Sequence, residues 1–111
     1  MRILVGNEPH FYREVIAATL QELRPHLEVV IVEPEGLDGA VVQCRPQIVL
    51  CSRLSEVVET RCLAWVRLYP HGQAHVVISL AGRRQTVPDP GLDGLLRVVD
   101  QTELLARDDA H

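Results

Sequence analysis

Short apolar runs alternate along the chain with stretches of helical period. The run Ile3-Leu4-Val5, closed by Gly6-Asn7-Glu8-Pro9, predicts a buried strand running into a loop. Phe11, Val15, Ile16, Ala18, Thr19, Leu20 and Leu23 then follow helical spacing, so a helix is expected over 9–24, with Pro9 in its first turn and Pro25 ending it. The β-branched stretch 28–32 (EVVIV) predicts a second strand, and Pro34 and Gly36 break it before a short helix at 37–44. The continuous apolar run 47–51 (QIVLC) has the pattern of a central strand covered on both faces. Leu54, Val57, Val58, Cys62, Trp65, Val66 and Tyr69 recur at steps of three and four, predicting a helix over 55–69. Ser55 is its N-cap, and Pro70 and Gly72 stop it. Trp65 and Tyr69 are expected to pack in or around the core, and 75–80 (HVVISL) reads as a fourth strand.

Beyond residue 80 two readings compete. In one, 81–93 is a degenerate helix or loop and 95–99 (LLRVV) is a fifth parallel strand. In the other, Ala81-Gly82 is a hairpin turn, 83–87 (RRQTV) returns as an antiparallel edge strand, and a helix spans 90–107. The second has the better local chemistry: Asp89 suits an N-cap, Pro90 a first helical residue, and Leu92, Leu95, Leu96, Val99 and Leu105 share one broad face. Gly94 inside that helix costs about 1 kcal/mol. The expected organisation is one α/β domain over 1–107 with a disordered tail at 108–111.

Alternating strands and helices imply a three-layer α/β/α sandwich around a mostly parallel five-stranded sheet. Ligands of such sheets bind beyond the carboxyl ends of the strands, where the strand order reverses. Between the first and third strands that places Asn7, Glu8, Ser52 and Arg53.

Composition narrows the chemistry. With 111 residues, 47% hydrophobic, the chain can bury one real core. No apolar run nears the roughly 20 residues of a membrane helix, and the opening MRILVG is too short for a signal-peptide core, so a cytoplasmic protein is expected. A net charge of -4 argues against nucleic acid and anionic membranes as partners. All eleven cationic side chains are arginine, which removes Schiff bases and every lysine-dependent phosphate site. Cys44, Cys51 and Cys62 form no CxxC pair and read as structural thiols, and no cofactor or metal site is expected. His71 and His75 are four apart but separated by Gly72 in a loop, so solvated histidines are expected rather than a zinc site.

The segments MRILVGNEP with Arg13, then RPQIVLCS and HVVISLAG, resemble a bacterial response-regulator receiver domain, of the CheY-like, flavodoxin-like fold, over about residues 1–80. The resemblance implies an acidic pair after the first strand, a phosphoacceptor aspartate after the third, a Ser or Thr after the fourth and a Lys after the fifth. Here the acidic pair falls on Asn7 and Glu8, the acceptor on Ser52 or Cys51, the hydroxyl on Ser79 or Leu80, and no lysine exists. Glu8 alone is a poor Mg²⁺ site, and a serine hydroxyl cannot form an acyl phosphate, so receiver phosphotransfer is expected to be absent.

Two functional expectations follow. The first is a non-catalytic pseudo-receiver, a protein-interaction or homodimerisation module in bacterial signalling, working through its last strand and helix. The second is a small anion- or nucleotide-binding module using the cleft of Asn7, Glu8, Ser52 and Arg53. A Glu8–Arg53 salt bridge closing the sheet end would favour the first, and an anion on Arg53 the second. A catalytic thiol at Cys51 would require exposure that a central strand denies it.

Overall fold

Chain order in the computed structural model, which describes residues 1–68, 75–88 and 90–109, begins with β1 (Arg2–Gly6), α1 (His10–Leu23) and β2 (Glu28–Ile31). A 3₁₀ turn at Pro34–Gly36 leads into α2 (Leu37–Cys44), β3 (Ile48–Cys51) and α3 (Glu56–Arg61). β4 (Ala64–Leu68), β5 (His75–Leu80), β6 (Arg83–Pro88) and α4 (Gly91–Asp109) complete it. The sheet has six strands in the order β2-β1-β3-β4-β5-β6. The first four are parallel, and β5 and β6 are antiparallel to their neighbours. The sheet is therefore mixed, with one strand more than the mostly parallel five-stranded flavodoxin-like sheet expected.

Helices cover both faces. Ile16, Ala17 and Leu20 of α1 and Leu95, Val98 and Val99 of α4 bury one face, against Ile3, Val5, Ile48 and Leu50. Leu37 and Val41 of α2 and Val58 of α3 bury the other, against Leu4, Val49, Cys51 and Trp65. The radius of gyration, 12.6 Å, matches the roughly 13 Å of a compact chain of this length.

The extra strand comes from the segment expected to continue the helix over 55–69. Ser55 does cap a helix, accepting a hydrogen bond from the Val58 amide, but that helix ends at Arg61. Leu63 to Leu68 satisfies a second period: Ala64, Val66 and Leu68 face α1 and α4, while Trp65 faces α2 and α3. Steps of three and four and steps of two both fit these residues, and the strand wins because β3 would otherwise have no partner on that side. Trp65 is 2% exposed, as expected of a core residue, whereas Tyr69, Pro70, His71 and Gly72 lie outside the described residues.

At the C-terminal end the hairpin reading holds and the fifth parallel strand at 95–99 does not form. Leu80 pairs with Arg83 across a two-residue turn in which Ala81 (φ 51°) and Gly82 (φ 84°) are both left-handed, the backbone that lets a tight turn follow strand twist. Gly94 is more than a tolerated glycine, since a Cβ there would sit 2.3 Å from Pro90 Cβ. α4 runs on to Asp109, so 108 and 109 are helical rather than tail; the proposed cap Asp89 and residues 110–111 lie outside the described residues.

α1 also turns differently from its expected apolar face. Its buried positions are Arg13, Ile16, Ala17 and Leu20, and Phe11 and Val15 are 64% and 53% exposed. Apolar residues lie on more than one side of this helix, so spacing alone did not select the side that meets the sheet. No helix among the described residues is long and apolar enough to cross a membrane.

Candidate functional site at the switch in strand order

β1 and β3 are parallel neighbours, with Gly6 beside Cys51 at their carboxyl ends. From there the chain leaves β1 for α1 on one face and leaves β3 for α3 on the other. Two diverging loops therefore open a crevice between them, where open α/β sheets hold ligands. It is a cleft of about 420 Å³, and its charged lining is Glu8, His10, Arg13, Glu33, Glu35 and Arg53.

Of the four residues expected here, Glu8, Ser52 and Arg53 line the cleft and Asn7 does not. Asn7 is buried, and its side-chain carbonyl oxygen has no hydrogen-bond partner among the described residues. The Glu8 backbone N–H donates to Ser52 Oγ at 2.8 Å, and the same hydroxyl donates back to the Glu8 carbonyl at 3.4 Å. Ser52 thus fastens the β1 loop to the end of β3 through the backbone. The expected Glu8–Arg53 salt bridge does not form: both residues are exposed, and Arg53 has no ion pair among the described residues. A hydroxyl clasp on the main chain holds the two loops together without recruiting either charge.

Hydrophobic patterning gives Arg13 no place in the site, yet it lines the cleft. Arg13 is 3% exposed, on the inward face of α1. Its Nη2 donates to His10 Nδ1 at 2.7 Å and to Glu33 Oε2 at 3.3 Å, and its Nε has no partner among the described residues. A guanidinium can only donate, so His10 Nδ1 is the acceptor and its proton sits on Nε2, which faces Glu14 Oε1 at 3.1 Å. Among the described residues the counter-charge on this buried cation is the Glu33 carboxylate, 69% exposed and at long hydrogen-bond distance. Desolvating a charge is costly unless close partners replace the lost water, and Arg13 is under-compensated. The signal in the sequence was an arginine three residues before the buried pair Ile16-Ala17, at the spacing of an inward-facing position.

Cys51 lies wholly in the core, and burial pushes its thiol up to about 12 against a smaller opposing pull from Arg67. Burial also pushes Cys62 up to about 11. Neither thiol has the thiolate character that nucleophilic or redox chemistry requires. Ser79, at the expected hydroxyl position, is buried on β5 beside Trp65 and Arg84, away from the cleft. Among the described residues no group of three His, Cys, Asp or Glu side chains is placed to hold a metal, and His71 lies outside them.

No family model, curated protein or solved structure matches the chain.

Proposed function

We propose that the chain is a non-catalytic binding module that takes a small anion, a phosphate or carboxylate group, in the cleft between the β1 and β3 loops. The observation that carries this reading is Arg13: a buried guanidinium, incompletely hydrogen-bonded and paired with an exposed carboxylate, at the edge of a cleft that also presents Arg53, which has no ion pair among the described residues. An incoming anion would displace Glu33, which has little burial to lose, and supply the compensation Arg13 lacks. Arg53 would then close on the ligand from the β3 side. Among the described residues the cleft assembles no acid, base and nucleophile, so the reading is of binding without turnover.

The test is titration with inorganic phosphate, followed by calorimetry, on the wild type and on two variants. Arg53→Ala, at an exposed position, is expected to leave the melting temperature unchanged and weaken binding about tenfold, the loss of roughly 1.4 kcal/mol. Arg13→Met is expected to abolish binding while raising stability by about 1–2 kcal/mol, because a poorly compensated buried charge is replaced by an apolar chain of similar length. Wild-type protein that binds no phosphate, or variants that bind it equally well, would overturn the proposal.

A second reading is favoured by the other end of the sheet. As a pseudo-receiver in bacterial signalling, the chain would act through protein contacts, or as a homodimer, at its last strand and helix. β6 supports this because, among the described residues, it pairs only with β5 and leaves its outer side exposed.

A further inference from the structure

We infer that the outer edge of β6 is a strand-addition site for an extended acidic peptide of a partner protein, an inference that rests on the second reading above. Four features converge there. β6 is six residues long with β5 as its one strand neighbour among the described residues, and Arg83, Arg84, Gln85 and Thr86 are all exposed, so its outward backbone groups are open to another strand. Beside it, between the hairpin and α4, lies a groove of about 310 Å³ with an apolar floor of Ile78, Leu80 and Val98. Register puts Arg83, Gln85 and Val87 opposite Leu80, Ile78 and Val76, on the same α4 side as that groove. Arg84 points the other way in the alternation, lying 5.2 Å from the Trp65 ring centre and paired with Glu59.

Charge selects the occupant. The chain carries a net charge of -4, yet two adjacent arginines stand at this edge, and Arg83 has no partner among the described residues. A second copy added edge to edge would gather four guanidiniums along one short ladder, and like charges across a strand pair are destabilising. An acidic strand meets the opposite situation. Its backbone would supply the ladder, a carboxylate would pair with Arg83, and an apolar residue two positions away, on the same face, would enter the groove. Pro88, which has no N–H to offer, limits the addition at the far end.

The probe is an end-blocked hexapeptide, Glu-Thr-Val-Thr-Glu-Thr, in which glutamate and valine alternate along one face, titrated into isotope-labelled full-length chain and followed through backbone amide shifts. Shifts concentrated in β6 and the facing side of α4, weakened by added salt, are expected. Arg83→Glu, at an exposed site, is expected to keep the fold and weaken the peptide at least tenfold, and the same hexapeptide with arginine in place of glutamate should then bind that variant better than it binds the wild type. No shifts, or an affinity unchanged by Arg83→Glu, would overturn the edge site. Shifts confined to α1 or the cleft loops would overturn it too, while leaving the interaction-module reading in place. That broader reading fails separately, if cross-linking in cells recovers neither a partner nor a dimer.

Discussion

The two ends of the sheet present arginine in opposite ways. At the β1–β3 end, Arg13 is buried on the inward face of α1, where its counter-charge among the described residues is the mostly exposed Glu33 carboxylate. At the β6 edge, Arg83 and Arg84 are exposed on a strand whose outer side meets no other strand among the described residues. The buried cation gains much from a close anion because screening there is weak, but few shapes can reach it. The exposed pair gains little per contact and relies on a backbone ladder for affinity, with charge choosing the partner. A small anion suits the first environment and an extended chain the second.

Three substitutions or conditions probe this contrast, beginning with the largest effect. Trp65 lies at the join of the two regions, packed under α2 and α3 and beneath the Arg84 guanidinium. Trp65→Ala is expected to cost about 3–5 kcal/mol in chemical denaturation, by emptying a core site and releasing the cation from its ring. Loss of less than about 1 kcal/mol would mean that the β4 packing is not the joint between the two ends. Gly94→Ala isolates the hairpin side. In an ordinary helix it would stabilise by about 1 kcal/mol, but the clash with Pro90 reverses the sign to a loss of about 1–2 kcal/mol, read from the denaturation midpoint.

The smallest effect ties α4 to α1. Arg24 hydrogen-bonds Asp100 through Nε and Nη2, both at 2.9 Å, and holds that carboxyl below its ordinary value of 3.8. A carboxyl lowered in the folded state stabilises the fold above its unfolded value and loses that contribution as pH falls through its folded value. Wild type should therefore exceed Asp100→Asn in melting temperature at neutral pH and converge with it below pH 3.8. Because both side chains are substantially exposed, the difference should also shrink with salt.

Much of this was legible in the sequence. β1, β2, β3 and α2 were readable because each apolar run has one period and clear Pro or Gly boundaries. Ser55 and Ala81-Gly82 announced a cap and a hairpin turn through local chemistry that the tertiary structure did not override, whereas α4 starts at Gly91, one residue after the Pro90 expected to open it. The failures have a common physical root. Residues 62–68 satisfy two periods at once, and only the unpaired side of β3 decides between them. Along α1, Phe11 and Val15 look more buried than Arg13, and only the position of the sheet reverses that order. A cleft does open between the β1 and β3 loops, lined by Glu8, Ser52 and Arg53 but not by Asn7, and the bridge across it differs from the one expected, because Ser52 links the loops through a backbone amide, and a pairing of side-chain charges cannot reveal that.

β4 runs parallel to β3 on one side and antiparallel to β5 on the other, so it is where the sheet changes sense. A slip of one residue there would turn Trp65 and Arg67 toward α1 and α4 and expel Ala64, Val66 and Leu68 to the opposite layer. Both neighbouring ladders would lose alignment together. The layer that each side chain of β4 enters is thus indexed by the alternation of a single five-residue word, AWVRL, which acts as the molecule's ruler.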